Sequence, residues 1–253
     1  MAIIALKAWY LEQYAPIREV VKRPHDLRLS RNSLLKSGLR ADFLEDSSEV
    51  KGSRWFERYL EGEMVEFYIE GSGGYGIANI DLISHEIYFN KREISAWLEP
   101  VIFLSGQNQY PPSTESLQGV IEASLEQFNQ KSRIPLSLAF LPRLEDAPLR
   151  LSDSQFRQIK KSLLFIADTT PIHQMGEQLL LGPSVCVELG YAVQTKQAGQ
   201  ILLVSQQRPQ LSGQIPFALP QHQQLCFADV SELQTVFPPL LAALLQRFNL
   251  IYE

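Results

Sequence analysis

The chain has 253 residues, of which 45% are apolar and 20% are charged, and its net charge is −5 at pH 7. This composition is ordinary for a globular protein of one large or two smaller domains, and two cysteines with four scattered histidines exclude a disulfide framework and a zinc-type site. Neither a run of 18 apolar residues nor a secretory signal occurs, so we expect no membrane segment. Two cysteines make a reduced cytoplasm the expected compartment, and neither a metal nor a cofactor is expected.

The first 40 residues are basic, although the whole chain is acidic. They carry a charge of +5, which leaves −10 for the remainder, and the basic side chains are densest over residues 22–31. Such a segment is typical of a solvated face that neutralises acidic neighbours; the alternative is a docking site for a protein partner. Nucleic-acid binding is not expected, because the domain-wide balance is not basic and no recognition motif is present.

Residues 1–97 are predicted to form a small α+β domain of unknown role. An aromatic-rich helix is expected over residues 51–60, and an antiparallel meander of three strands over residues 63–70, 77–82 and 87–89. Four glycines fall within residues 71–76, between the first two strands. Exposed N–H groups there could cradle a phosphate, but the segment lacks the Gly-Lys-Ser/Thr end of a P-loop, which favours a flexible hairpin turn.

Residues 98–253 alternate apolar strands with amphipathic helices. Strands are predicted over residues 101–106, 136–141, 162–168, 200–205 and 225–229. Helices are predicted from 113 or 114 to 128, over 152–161, from 183 to about 195 and over 237–248. This alternation predicts an α/β domain with a parallel sheet, and five strands suggest a flavodoxin-like order, 2-1-3-4-5. Ser113 or Thr114 is placed to cap the first of these helices.

A ligand crevice is expected where the strand order switches, between the first and third strands of this sheet. The loops that reach it follow Gly106 and Asp168. Glu188, in the opening turns of the next helix, can face a bound sugar and stabilise the positive transition state of a breaking glycosidic bond. The alternative is that Glu188 only stabilises its own helix, because a carboxylate in the first turns interacts favourably with the helix dipole.

The stretch from Asp168 to Ala192 carries a more specific pattern. A strand ending in Asp168-Thr-Thr-Pro171 is followed by Gly182-Pro-Ser-Val185 and by Glu188-Leu-Gly-Tyr-Ala192. The pattern resembles the core of the nucleoside 2-deoxyribosyltransferase-like superfamily and its TIR-like relatives. In those families an Asp closes the third strand, and a sequence close to Asn-Pro-Asn-Val-x-x-Glu-Leu-Gly-x-Ala opens the next helix. The resemblance covers roughly residues 100–250 and implies the flavodoxin-like fold.

The resemblance also implies an activity and a site. These families cleave or transfer N-glycosidic bonds of nucleosides or nicotinamide dinucleotides, and the motif glutamate, here Glu188, is the catalytic residue. The residues implied to bind the ligand are Ser105, Gly106, Gln107, Tyr110, Asp168 and Ser184.

Three features differ from the family pattern. Gly182 and Ser184 stand where many relatives have Asn or Asp. The connection over residues 172–181, which includes His173, is longer than a minimal one and is a candidate lid. The loop after the first strand has no Lys or Arg, so a diphosphate would depend on backbone N–H groups near Ser113.

The sequence therefore predicts a nucleoside- or nucleotide-binding protein. If it is an enzyme, the predicted reaction is cleavage or transfer at an N-glycosidic bond through Glu188. The alternative is a non-enzymatic nucleotide sensor or a protein-assembly module on the same fold. Because relatives often complete their active sites with a neighbouring subunit, the resemblance also implies a homo-oligomer.

Overall fold

The computed structural model describes residues 5–34, 38–93, 95–140, 152–215 and 224–250. The chain divides into two compact units, Met1–Trp97 and Leu98–Glu253. Within the described segments, no helix has both the length and the apolar composition that crossing a bilayer requires.

The first unit is an antiparallel barrel of six strands with three short helices. The strands are β1 Ala5–Tyr10, β2 Leu27–Leu34, β3 Gly38–Phe43, β4 Glu66–Ile69, β5 Gly73–Asp81 and β6 Glu86–Lys91. The helices are α1 Ile17–Val20, α2 Ser47–Lys51 and α3 Arg54–Leu60. Around the barrel the order is β1-β2-β3-β6-β5-β4, and pairing of β4 with β1 closes it.

Alternating side chains fill this barrel. Successive residues of a strand point to opposite faces, so every second residue of β3 is buried, as Leu39, Ala41 and Phe43 are. Trp55 of α3 packs edge-on against Phe67 of β4, with ring centroids 5.3 Å apart. These contacts give the first unit a hydrophobic core of its own.

The predicted meander is present as β4, β5 and β6, but it is only half of the barrel. The glycine-rich segment 71–76 forms the turn between β4 and β5 and the start of β5. The N–H of Ser72 donates to the carbonyl of Ile69 at 3.0 Å, and Gly71 and Gly73 have φ values of +67° and +111°. Glycine is required there because other residues rarely adopt such angles. The structure agrees with the hairpin interpretation of these glycines.

The second unit is built on a five-stranded parallel sheet. The strands of this unit are β7 Glu99–Ser105, β8 Ser137–Phe140, β9 Ser162–Asp168, β10 His173–Met175, β11 Gln178–Leu180, β12 Ile201–Gln206 and β13 Gln224–Phe227. Five of them form the parallel sheet, in the order β13-β12-β9-β7-β8, and β10 and β11 form a separate hairpin. The helices are α4 Pro111–Asn129, α5 Asp153–Lys161, α6 Pro183–Thr195 and α7 Val230–Gln246. The predicted α/β class and parallel sheet are confirmed.

Strand β9 is the centre of this sheet, and all seven of its residues are buried. A parallel strand covered on both faces has a continuous apolar sequence, as residues 163–167 do. Phe103 of β7 stacks on Phe165 at 5.9 Å, and Val185 and Leu189 of α6 belong to the same core cluster. This packing fixes the position of Asp168, the last residue of β9.

Helix α6 has the predicted extent, and a lysine holds its C-terminal end. Lys196, the residue after the helix, donates from Nζ to the backbone carbonyl of Ser162 at 2.5 Å. Burial and, secondarily, the positive charge of Arg247 lower the pKa of Lys196 to about 7.

We expect Lys196 to raise the free energy of unfolding of the second unit by about 4 kcal/mol as the pH rises from roughly 7 to 10. An unfolded lysine keeps its proton up to about pH 10.4, whereas folded Lys196 loses its proton above about pH 7. Over this interval the unfolded state binds more protons, so stability rises with pH; at lower pH both states are protonated and the contribution is constant. Urea denaturation across this range should show a smaller rise for Lys196→Met than for wild type.

The exposed Lys131 provides the control, since Lys131→Met should keep the wild-type pH dependence. Identical pH dependence in wild type and Lys196→Met would contradict the expectation.

Candidate functional site

Asp168 holds the carboxyl end of β9 to the start of α4. Its side chain is 1% exposed, and Oδ2 accepts hydrogen bonds from the hydroxyls of Ser113 and Thr114, both at 2.6 Å. Oδ1 accepts from the backbone N–H of Thr170 at 3.0 Å. Because three protein donors satisfy this carboxylate, Asp168 positions the loops that follow β7 and β9.

The prediction that Ser113 or Thr114 caps α4 is wrong. The helix begins at Pro111, after Tyr110, and has no side-chain cap. Proline suits the first helical position because its φ is already helical and it has no N–H to satisfy. The two hydroxyls therefore lie inside the first turn, where they donate to Asp168 instead.

Glu188 is buried inside the second unit, with 0% of its surface exposed. Its Oε2 accepts a hydrogen bond from Ser105 Oγ at 2.5 Å, and its Oε1 accepts from Nε2 of Gln155. The carboxylate thus joins the end of β7 to α5 and α6. These two donors are neutral, so the contacts hold Glu188 as part of a buried polar network.

Gln155 is a member of this network that sequence reasoning overlooked. A glutamine in the first turn of an amphipathic helix is usually exposed, yet Gln155 is buried. The available signal was its spacing: Gln155 precedes the buried Ile159 by four residues, which places both on one face of α5.

The loop after β7 runs close to α4 and to the loop after β9. A Cβ on Gly106 would lie 2.5 Å from Cγ2 of Thr114 and 2.7 Å from the ring of Phe140, so glycine is required at this crossing. The backbone N–H of Gln107 donates to Thr114 Oγ1 at 3.0 Å. Its side-chain Nε2 donates to the carbonyl of Thr170 at 2.9 Å. The predicted proximity of the two loops is therefore present, and Thr170 joins the set of residues that the sequence did not single out.

The start of α6 packs against the first loop. Gly182 precedes the helix, and a Cβ there would lie 3.1 Å from Cβ of Gln107 and 3.2 Å from Oε1 of Gln109. The side chains of the first loop thus occupy the space that an asparagine at position 182 would need. Ser184 is buried in the first turn of the helix.

Arg208 brings a positive charge to the carboxyl edge of the sheet. Its guanidinium carbon lies 4.3 Å from the ring centre of Tyr110, and Nη1 donates to the carbonyl of Pro171 at 2.8 Å. The lack of Lys and Arg in the loop after β7 therefore does not leave this edge without a cation. Arg208 could have been identified from its position in the sequence, because it follows the end of β12 by two residues and the loop after β12 reaches the same edge.

The predicted lid over residues 172–181 contains the β10–β11 hairpin, which is tied to the segment after β12. The backbone N–H of Leu179 donates to the carbonyl of Gln214, and the N–H of Gln214 donates to the carbonyl of Glu177, both at 2.9 Å. His173 is exposed on this hairpin. Among the described residues, no group of three or more His, Cys, Asp or Glu is placed to hold a metal ion.

The basic segment of the first unit faces acidic partners. Lys22 pairs with Glu19 at 2.9 Å and Arg28 pairs with Glu45 at 3.0 Å. Arg40 likewise forms an ion pair with Glu86. These pairs favour a neutralised, solvated face over a positive docking surface.

No family model and no curated protein matches the chain. Among solved structures, it is similar to the metal-soaked flavodiiron core of Flv1 from Synechocystis sp. PCC6803, with 10% sequence identity and a TM-score of 0.31. The match covers 59% of this chain and 35% of that one. A likeness of this size carries no argument about function.

Proposed function

We propose that the second unit has a flavodoxin-like fold and binds a nucleoside-type ligand at the carboxyl edge of its sheet. From β7 the chain passes to β8 on one side and then to β9 on the other side of β7. In doubly wound sheets such a reversal creates a crevice between the loops that follow the two strands. Here those loops begin after Ser105 and Asp168.

The observation that carries the proposal is the concentration of buried polar side chains at this edge. Seven of them are at most 3% exposed: Ser105, Gln107, Ser113, Asp168, Thr169, Thr170 and Glu188. Burying polar groups is costly unless they are hydrogen-bonded, and a network at a strand-order reversal is well placed to shape a ligand site. The resemblance of residues 168–192 to the nucleoside 2-deoxyribosyltransferase-like pattern favours a nucleoside as the ligand.

In this proposal Glu188 organises the site without reacting. Its carboxylate has no exposed surface and accepts hydrogen bonds from Ser105 and Gln155. A nucleophile or electrostatic stabiliser must contact the sugar carbon, which Glu188 does not reach while these contacts persist. The protein is then a binding module that senses a nucleoside and does not turn it over.

The second candidate is an N-glycosidase or deoxyribosyltransferase that uses Glu188. The observation that favours it is a glutamate with no exposed surface, since this residue type is rarely buried completely. Catalysis would require the Ser105 hydroxyl to move away so that Oε2 could meet the sugar.

Incubation of the full chain with nucleosides and with NAD distinguishes these candidates. We expect a ligand-dependent rise in melting temperature for at least one nucleoside, with no free base or nicotinamide released by wild type or by Glu188→Gln. Chromatography measures release, and thermal shift measures binding.

Release of base by wild type and its loss in Glu188→Gln would replace the binding module with the enzyme. Neither shift nor release, together with a stable protein complex recovered from the native host, would instead support an assembly module.

A further inference from the structure

Two glutamine oxygens lie near the N-terminal end of α6. The Cβ position of Gly182 lies 3.2 Å from Oε1 of Gln109 and 3.4 Å from Oε1 of Gln107. Gln107 is buried, with only 3% of its surface exposed. Within the described part of the chain its Oε1 has no hydrogen-bond partner. Such an acceptor is uncommon, because it gives up its hydrogen bonds to water on folding and receives none in return.

The other end of the Gln107 amide fixes its orientation. Nε2 donates to the carbonyl of Thr170 at 2.9 Å, so turning the amide over would place Oε1 against a second oxygen. Oε1 therefore stays directed towards the start of α6. On the other side of Thr170, Oε1 of Gln206 is also buried and lacks a donor among the described residues. The backbone N–H of Gln206 donates to the Thr170 hydroxyl at 2.9 Å, which connects both glutamines to one loop.

We infer that this site takes a ligand that donates a hydrogen bond from a neutral N–H or O–H group to Oε1 of Gln107. The inference rests on the proposed nucleoside site and specifies its chemistry. The start of a 13-residue helix would ordinarily suit an anion, but here two amide oxygens with partial negative charge stand beside it. A phosphate in the same place would face these oxygens, so a nucleoside is favoured over a dinucleotide.

A nucleoside offers two sources of such a donor, the N–H of the base and the hydroxyls of the sugar. Calorimetric titration with three probes separates them: adenosine, purine riboside, which lacks the amino group, and 2′,3′-dideoxyadenosine, which lacks two hydroxyls. We expect one of the two analogues to bind wild type about tenfold more weakly than adenosine does, and that analogue identifies the donor. In Gln107→Met the difference should disappear, and in the control Gln246→Met, at the exposed end of α7, it should remain.

A second variant addresses the same point if Gln107→Met does not fold. Gly182→Ala places a methyl group within 3.4 Å of both oxygens, at a residue whose φ of −56° allows alanine. Adenosine should then lose its advantage over the weaker analogue.

Four results would overturn the inference. Equal affinities of all three probes for wild type, or a difference that persists in both variants, would do so while leaving the proposed nucleoside site in place. A lower melting temperature of Gln107→Met with unchanged discrimination would assign Gln107 only to support of the Thr170 loop. Failure of every probe to bind wild type, together with no rise in melting temperature with any nucleoside, would reject the proposed function together with the inference.

Discussion

Replacing Asp168 with alanine should lower the free energy of unfolding of the second unit by about 3 to 5 kcal/mol. The substitution removes the acceptor of three hydrogen bonds. It leaves the backbone N–H of Thr170 buried without that partner, and the hydroxyls of Ser113 and Thr114 keep only the backbone carbonyls of Tyr110 and Gln107 as acceptors. The N–H of Thr170 cannot regain a hydrogen bond to water unless its loop opens, and an opened loop would also disorganise the proposed ligand site.

The two units can be followed separately in one denaturation experiment. All three tryptophans, Trp9, Trp55 and Trp97, belong to the first unit, so their fluorescence reports on the barrel. The long helices α4, α6 and α7 belong to the second unit, so far-ultraviolet circular dichroism reports mainly on the parallel sheet domain. Asp168→Ala should move the dichroism transition to lower urea and leave the fluorescence transition in place.

Asp153, exposed in the first turn of α5, provides a matched control for Asp168. Asp153→Ala loses only a favourable interaction with the helix dipole and should cost less than about 1 kcal/mol. If Asp168→Ala cost no more than this control, the hydrogen bonds around Asp168 would contribute little to stability.

Glu188→Leu should destabilise the second unit by about 2 to 4 kcal/mol, whereas Glu188→Gln should cost about 1 kcal/mol. Leucine leaves the Ser105 hydroxyl and the Gln155 amide without their acceptor. Glutamine keeps the shape and one acceptor oxygen, and the Ser105 hydroxyl can turn to accept from the new N–H group. The same dichroism measurement compares the two variants.

This difference also makes Glu188→Gln suitable for the activity test, since the variant should remain folded. A loss in Glu188→Gln as large as in Glu188→Leu would contradict the role given to hydrogen bonding. It would show instead that the negative charge of Glu188 is itself needed for stability.

The strands of the second unit were predictable because their signals are local. The apolar run of β9 is bounded on both sides by polar residues, and the structure gives it the predicted limits, residues 162–168. A parallel strand buried on both faces must be apolar throughout, so few other structures fit such a run.

Half of the first unit's barrel could not be predicted in this way. In β2, Leu27 and Leu29 are buried, while Arg28 between them is exposed. This alternation was not recognised as a strand because basic residues dominate the segment. Closure depends on the pairing of Ala8 in β1 with Ile69 in β4, two residues far apart in the chain. Pairing over such a distance leaves no local pattern.

The position of Glu188 on α6 was predictable, but its surroundings were not. Val185, Leu189 and Ala192 mark the buried face of this helix, and Glu188 lies on that face. Its hydrogen-bond donors, however, come from Ser105 and Gln155, which are 83 and 33 residues away in the chain. Such distant elements determine whether the Glu188 carboxylate lines an open crevice or lies in a buried polar network.

The closed barrel restricts how another protein can join the first unit. An open sheet offers unpaired N–H and C=O groups along its edge strands, and an extended peptide can bind there as an added strand. Because β4 pairs with β1, the described strands of the barrel present no such edge. A partner of this unit would therefore have to recognise side chains. Among the described strands of the second unit, β8 and β13 end the parallel sheet and are the places in that sheet where a foreign strand could be added.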